Sequence, residues 1–232
     1  MSDEMQILDI GGLEGPLGQR VYTALRDGIL DMSLHPGMVL RKGALCEQLG
    51  VSRSPVAEAL GRLSSEGLVD VIPQSATRVS QLFLADLLEE CFLREAVEVA
   101  AVTKVTLERT DEQLTKLTRN LRLQGLLVDD KDFQGFFEAD VGFHELILGF
   151  TGFPKVVAAA GQMSLQLARA RMLLLPEEGR PEGAVTEHHV ILQAIKAKDV
   201  DAARTSMTTH LRQLIDRISP LERQHPDFFR ST

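Results

Sequence analysis

The first elements are marked by apolar residues that recur at helical spacing. A helix over about 16–32 follows from four such positions: Leu17, Val21, Leu25 and Ile29. Leu45 and Leu49 predict a short second helix, and Gly50 is expected to end it. Two helices joined by a tight turn at Gly50 indicate a helix-turn-helix.

A third helix and a hairpin complete this region. Ser54-Pro55 is typical of an N-cap followed by proline at the first helical position, and Gly67 is expected to end the helix. The stretches 68–72 and 77–80 are strand-prone, with a turn between them. We therefore predict a winged helix-turn-helix over 15–80, preceded by a flexible N-terminus over 1–14.

Beyond about residue 82 the periodicity is helical throughout. We expect six helices, over 83–106, 111–130, 132–150, 154–175, 183–197 and 199–218. The predicted fold class is mainly α: an N-terminal winged helix-turn-helix followed by an all-helical bundle over 83–220.

Charge, hydropathy and cysteine content indicate which kinds of partner the chain can have. The net charge is −8, yet 15–80 balances seven Lys and Arg against six Asp and Glu, so this region is the expected DNA face. No apolar run approaches the roughly 20 residues that span a bilayer, so we expect no membrane partner. Two cysteines, Cys46 and Cys91, make no disulfide framework and favour the cytoplasm.

The candidate DNA contacts lie at the start of the third helix. A recognition helix presents its first residues to base edges, which here are Ser52, Arg53 and Ser54. Arg53 suits bidentate pairing with guanine, whereas the alternative is a solvated surface arginine. Arg41 and Lys42 precede the second helix and are equally compatible with phosphate contact and with ordinary surface charge.

Four polar residues share the apolar faces of three helices. Asp140 and His144 lie one turn apart on the helix over 132–150, and His188 and His210 lie on the apolar stripes of the last two helices. Three imidazoles and a carboxylate suit a divalent ion, with zinc or nickel favoured. The alternative is that each is a hydrogen-bonded core residue. The set predicts a buried metal site with positions open to a ligand.

Two arginines also share apolar faces. Arg94 is suited to grip a carboxylate through two parallel hydrogen bonds, and the alternative is an ion pair with Glu90 or Glu98. Arg171 is a second candidate of the same kind. We expect these two residues to bind a small organic-acid effector.

Several motifs of the chain resemble those of a known family. The matching residues are Pro36-Gly37, the run LCEQLGVSRSPVAEAL over 45–60, Leu63 and the run EGLV over 66–69. They resemble the GntR family of bacterial regulators, and the remainder resembles the FCD effector domain of its FadR branch. The resemblance implies a ligand-responsive transcriptional regulator, as a repressor, that binds pseudo-palindromic operator DNA as a homodimer. It also implies Asp140, His144, His188 and His210 as metal ligands and Arg94 as the effector's partner.

Two departures from the family pattern lie on the DNA face. Ala57 replaces a residue that is usually basic, and Ser75-Ala76 replaces a basic residue and glycine in the wing. Arg78 in the following strand is the expected compensation. We therefore expect weaker or differently specified DNA binding. The competing functions are a metal-dependent enzyme and a sensor module whose DNA binding has decayed.

Overall fold

The chain divides into two units, each described by itself. The computed structural model describes residues 9–72, 76–163, 165–175 and 179–230. The first unit contains the chain up to Leu84 together with the chain from Leu221 onward, and the second runs over Ala85–Pro220. The C-terminal residues therefore belong with the N-terminal part of the chain.

The first unit has three helices and a two-stranded sheet. They are α1 (Leu17–Leu30), α2 (Lys42–Leu49), α3 (Arg53–Ser65), β1 (Val69–Val71) and β2 (Thr77–Val79). Gly50 ends α2 in the left-handed region at φ 63°, which glycine adopts without steric cost. Ser52, not Ser54, occupies the N-cap position of α3. The predicted start was therefore two residues late, because Ser54-Pro55 lies inside the first turn.

The hairpin is antiparallel, with Asp70 opposite Arg78. An antiparallel bridge joins Val39 to Arg78, so a third segment flanks β2. The predicted turn over 73–76, including Ser75 of the wing, lies outside the described residues except for Ala76.

Both ends of the described chain pack on the first unit. The carbonyl of Ile10 accepts a hydrogen bond from Arg20 Nε at 2.9 Å, and Ile10 is buried. The expected flexibility of residues 1–14 therefore does not extend to Ile10; residues 1–8 lie outside the described chain. At the other end, Phe229 is buried and pairs with Leu82 in a parallel bridge.

The second unit is built from helices. They are α4 (Leu84–Glu108), α5 (Asp111–Asp129), α6 (Phe133–Phe150), α7 (Pro154–Met163), α8 (Leu165–Leu174), α9 (Arg180–Ala197) and α10 (Val200–Gln224); α4 begins and α10 ends in the first unit. A short 3₁₀ helix, Pro226–Phe228, follows α10 in the first unit. The single helix predicted over 154–175 is two helices, α7 and α8, on either side of residue 164, which is not described. Helix α9 begins three residues earlier than expected, at Arg180.

The core of the second unit joins α4, α5, α6, α9 and α10. Its fully buried members include Val102, Leu117, Phe143, Ile195 and Met207. Each of these five helices turns one apolar stripe toward this core, and polar residues on the same stripes are buried with it. Within the described ranges, no helix is long and apolar enough to cross a membrane.

Candidate functional site

Three buried histidines from three helices converge in the second unit. His144 of α6, His188 of α9 and His210 of α10 are each at most 4% exposed. The Nε2 atom of His210 lies 3.3 Å from the Nε2 atoms of both His188 and His144. One nitrogen from each ring lies within 4.8 Å of the others. The structure thus brings together the three predicted histidines.

Carboxylates fix the orientation of two of these rings. Glu98 of α4 faces His144 Nδ1 at 2.5 Å, and Glu187 of α9 faces His210 Nδ1 at 2.6 Å. An ionised carboxylate only accepts hydrogen bonds, so each Nδ1 must carry a proton and donate it. In the neutral rings the lone pair therefore lies on Nε2.

An amide fixes the third ring in the same way. His188 Nδ1 lies 2.8 Å from Gln124 Oε1. The Gln124 amide nitrogen donates to Asn120 Oδ1 at 2.8 Å, which identifies the other amide atom as the oxygen. His188 therefore donates from Nδ1 and also presents its Nε2 lone pair to the centre of the cluster. Phe143 stacks on this ring, with ring centroids 4.3 Å apart.

The resulting geometry fits a metal ion. Neutral imidazoles whose lone pairs face one another repel unless a cation lies between them. Tetrahedral ligands with Zn–N bonds of about 2.0–2.1 Å place their nitrogens about 3.3–3.4 Å apart. The two 3.3 Å separations match that spacing. Hydrogen bonding of the outer ring nitrogens to carboxylates and amides is also typical of histidine metal ligands.

Asp140 lies beside the histidines and is held by an arginine. Its Oδ1 is 3.8 Å from His188 Nε2, and its Oδ2 accepts a hydrogen bond from Arg171 Nη2. The three-histidine group does not include Asp140 at the 4.8 Å spacing. Asp140 therefore lies within reach of the centre, but it is paired with Arg171 rather than drawn against the three nitrogens.

Burial sets the charge state of two of the three histidines. It lowers the pKa of His144 to about 4 and lowers the pKa of His188 well below its usual value, so both rings are neutral at pH 7. Burial acts to raise the pKa of the Glu98 carboxyl, but Arg94 and then His144 outweigh it and hold that pKa below its usual range. Glu98 is thus an ionised acceptor, as the orientation of His144 requires.

The two predicted effector-binding arginines differ in surroundings. Arg94 donates from Nε to Glu98 Oε1 at 2.6 Å, which is the ion pair that the sequence left open as the alternative. Arg171 lines a small cavity next to Asp140 together with Arg180. Among the described lining residues of that cavity, Arg94 does not occur. A role for Arg94 in effector binding stays a prediction.

Four polar residues of this site were not predicted as site residues. Glu98 appeared only as a possible partner of Arg94, although it lies on the same face as Ala101 and Val105. The other three are Gln124, Glu187 and Arg180. Gln124 shares a helical face with Leu121 and Leu117, a spacing that could have marked it as buried. For Glu187 and Arg180 the sequence holds no comparable signal.

The predicted DNA contacts all lie in the first unit and on its surface. Arg53 is the first residue of α3, where the positive end of the helix dipole disfavours a cation that has no other task. Arg41 occupies the N-cap position of α2, and Lys42 follows it. Six predicted residues are exposed: Arg41, Lys42, Ser52, Arg53, Ser54 and Arg78. Arg230 lies 3.4 Å from Asp70 of the hairpin and forms an ion pair with it.

Both units match known family models. Residues 17–79 match the model for bacterial regulatory proteins of the gntR family, and residues 90–213 match the FCD domain. The chain belongs to the GntR family. It is a transcriptional regulator with a DNA-binding winged helix-turn-helix and an FCD effector domain, as the sequence motifs implied.

Curated relatives match the regulator over most of its length. An HTH-type transcriptional regulator in an unstable DNA locus of Streptomyces ambofaciens is 36% identical over 209 residues, covering 90% of this chain and 88% of the relative. The transcriptional repressor RspR of Escherichia coli K12 is 27% identical and covers 92% of this chain and 94% of its own. These relatives are named as transcriptional regulators, not as enzymes, so an enzymatic function is set aside.

Solved structures share the fold. McbR/YncC of E. coli aligns with a TM-score of 0.74 at 25% identity, over 90% of this chain and 99% of its own. A GntR-type regulator from Rhodococcus sp. RHA1 aligns with a TM-score of 0.76 at 24% identity, over 87% and 97% of the two chains. The predicted fold class, mainly α with a winged helix-turn-helix before a helical domain, is confirmed.

Proposed function

We propose that this regulator represses transcription from pseudo-palindromic operator DNA and senses a small carboxylate metabolite at a divalent metal site in its FCD domain. The observation that carries the sensing half is the convergence of three Nε2 lone pairs, spaced at 3.3 Å between His210 and each of the other two histidines. Cytoplasmic action as a homodimer is part of the proposal.

The residues present fit a divalent ion such as zinc or nickel. His144, His188 and His210 would hold it through Nε2, and Asp140 would complete the set by moving toward the histidines from its 3.8 Å separation. A bound ion would supply a Lewis acid, and expansion from four to five ligands would open a position to a carboxylate oxygen. The three outer partners, which fix the proton on each Nδ1, keep all three rings in the ligating form.

DNA binding is assigned to the exposed start of α3. Arg53 forms no ion pair with the described residues and lies where an arginine is unfavourable for the helix, so a DNA base edge is its best partner. A dimer would place two such helices on two half-sites. The repressor RspR matches this chain over nearly all its length, which favours repression here.

Metal content is the first test. Protein purified without chelator should contain about one divalent ion per chain by inductively coupled plasma mass spectrometry, and His188→Ala should lose it. The matched control is His189→Ala, because His189 is the next residue and is exposed. Equal metal content in the wild type and His188→Ala would contradict the site.

Operator binding is the second test, and it separates a working regulator from a sensor with decayed DNA binding. Fluorescence anisotropy with the DNA upstream of the regulator's own gene should give saturable binding that an unrelated duplex at the same salt does not match. Equal affinities for both duplexes would favour the decayed-sensor alternative. Sedimentation at micromolar concentration should give a dimer, and a monomer with intact operator affinity would contradict that part of the proposal.

A further inference from the structure

A small cavity borders the proposed metal site on the side of Asp140. Its volume is about 30 Å³, and its polar lining comes from Asp140, Arg171 and Arg180. Phe136, Phe137 and Leu174 form part of its apolar wall. A cavity of this type needs about 10–15 Å³ for each water-sized group, so this one admits two or three non-hydrogen atoms. That is the size of one carboxylate group.

The charges around the histidines pair off. Arg94 pairs with Glu98 at 2.6 Å, Arg171 with Asp140, and Arg180 with Glu187 at 3.5 Å. These six formal charges cancel, and a histidine that ligates an ion does so as a neutral ring. A divalent ion would therefore leave this group of residues with two uncompensated positive charges. Buried charge needs a partner, so the site with its ion is complementary to a ligand that carries two negative charges.

Arg180 is the arginine available to such a ligand. Its side chain is 12% exposed, and its contact with Glu187 Oε1 is the longest of the three pairs. It makes no other hydrogen bond to a described residue, and this contact engages one of its five N–H donors. Arg94, in contrast, is engaged by Glu98 at 2.6 Å, and Arg171 is engaged by Asp140.

We infer that the effector is a short dicarboxylate and that Arg180 recognises its second carboxylate. This inference rests on the proposed function, because it assumes that the first carboxylate meets the ion held by the histidines. The second carboxylate occupies the cavity, where Arg180 donates to it. Arg180, rather than Arg94, then distinguishes a dicarboxylate from a monocarboxylate.

Calorimetry with two acids of equal carbon number tests the assignment. Malonate and propionate are titrated into zinc-loaded full-length protein, and the zinc content is measured before and after. Malonate should bind about tenfold or more tightly than propionate, as expected for a charge-assisted hydrogen bond. Arg180→Met should reduce that ratio to about twofold or less. Arg122→Met, at an exposed position of α5, is the control and should keep the wild-type ratio.

The possible outcomes distinguish a failure of the dicarboxylate assignment from a failure of the proposed metal site. Wild-type protein that retains no zinc contradicts the proposed metal site itself. Retained zinc with equal affinities, or with no malonate binding, overturns the dicarboxylate assignment and leaves the metal site standing. A tenfold preference that survives Arg180→Met overturns the role of Arg180. The wild-type ratio requires no variant, so a poorly folded Arg180→Met protein would still leave the ligand class tested.

Discussion

Glu98→Gln is the perturbation that probes the orientation of the histidines most sharply. The two carboxylate oxygens have separate tasks: Oε1 accepts from Arg94 at 2.6 Å, and Oε2 accepts from His144 at 2.5 Å. A glutamine amide offers one oxygen and one NH₂ group. One of the two donors must then face another donor, inside a site where Glu98 is 4% exposed.

The magnitude follows from that hydrogen-bond count. Leaving one buried donor without an acceptor costs about 1–3 kcal/mol, and more when the donor is charged. If His144 loses its acceptor, its Nδ1 proton is no longer fixed and the Nε2 lone pair is no longer assured. Loss of such an outer partner typically lowers metal affinity by about 10–100-fold. We expect Glu98→Gln to show that loss together with a lower Tm.

The assay is competition for zinc against a chromophoric chelator, with thermal unfolding followed by circular dichroism. Glu95→Gln is the matched control, because Glu95 lies on the same helix and pairs with Arg212 at 2.8 Å, but at the surface. Exposed ion pairs contribute little, so Glu95→Gln should retain wild-type zinc affinity. A Glu98→Gln protein that binds zinc as tightly as Glu95→Gln would show that Glu98 does not orient His144 for metal binding.

Three further predictions concern other parts of the chain. Arg53→Ala should weaken operator binding about tenfold or more in anisotropy titrations and relax sequence specificity at one operator position. Arg119→Ala should leave operator affinity unchanged. Equal losses of affinity in the two variants would contradict a base contact by Arg53. Burial raises the pKa of Glu90 to about 7, against a hydrogen bond that lowers it, so the ionised form disfavours folding as pH rises from about 4.5 to 7. Glu90→Gln should therefore unfold at a higher Tm than the wild type at pH 8 and at a similar Tm at pH 4.5, and a difference independent of pH would contradict this. Phe229→Ala should destabilise the first unit by about 3–5 kcal/mol in urea unfolding, because Phe229 is only 3% exposed. Phe92 is 71% exposed and should tolerate alanine. A Phe229→Ala protein as stable as Phe92→Ala would show that the packing of Phe229 contributes nothing to stability.

Apolar periodicity predicted the bounds of a helix well where the helix packs a single apolar stripe against the core. The predicted helices over 111–130 and 132–150 are found at Asp111–Asp129 and Phe133–Phe150. The division into α7 and α8 was not predicted, because apolar spacing continues through 154–175. The early start of α9 was missed because Gly179 and Pro181 both lie at its first turn, where the apolar stripe has not yet begun.

The histidines of the candidate site could be predicted from the sequence, but their hydrogen-bond partners could not. A histidine on an apolar stripe is conspicuous, so His144, His188 and His210 could be selected from spacing. Their partners Gln124 and Glu187 are ordinary polar residues of amphipathic helices, and only the packing of helices against one another pairs them with a ring. Arg94 had two interpretations that local spacing could not separate, since Glu98 lies one turn away in either case.

The most direct test of the metal site is an anomalous diffraction measurement at the zinc edge on crystals of protein purified without chelator and supplied with zinc. We predict one anomalous peak in the FCD domain, about 2.0–2.1 Å from the Nε2 atoms of His144, His188 and His210, with Asp140 as the fourth protein ligand. Absence of a peak at these atoms, or a metal bound through the Nδ1 atoms, would contradict it.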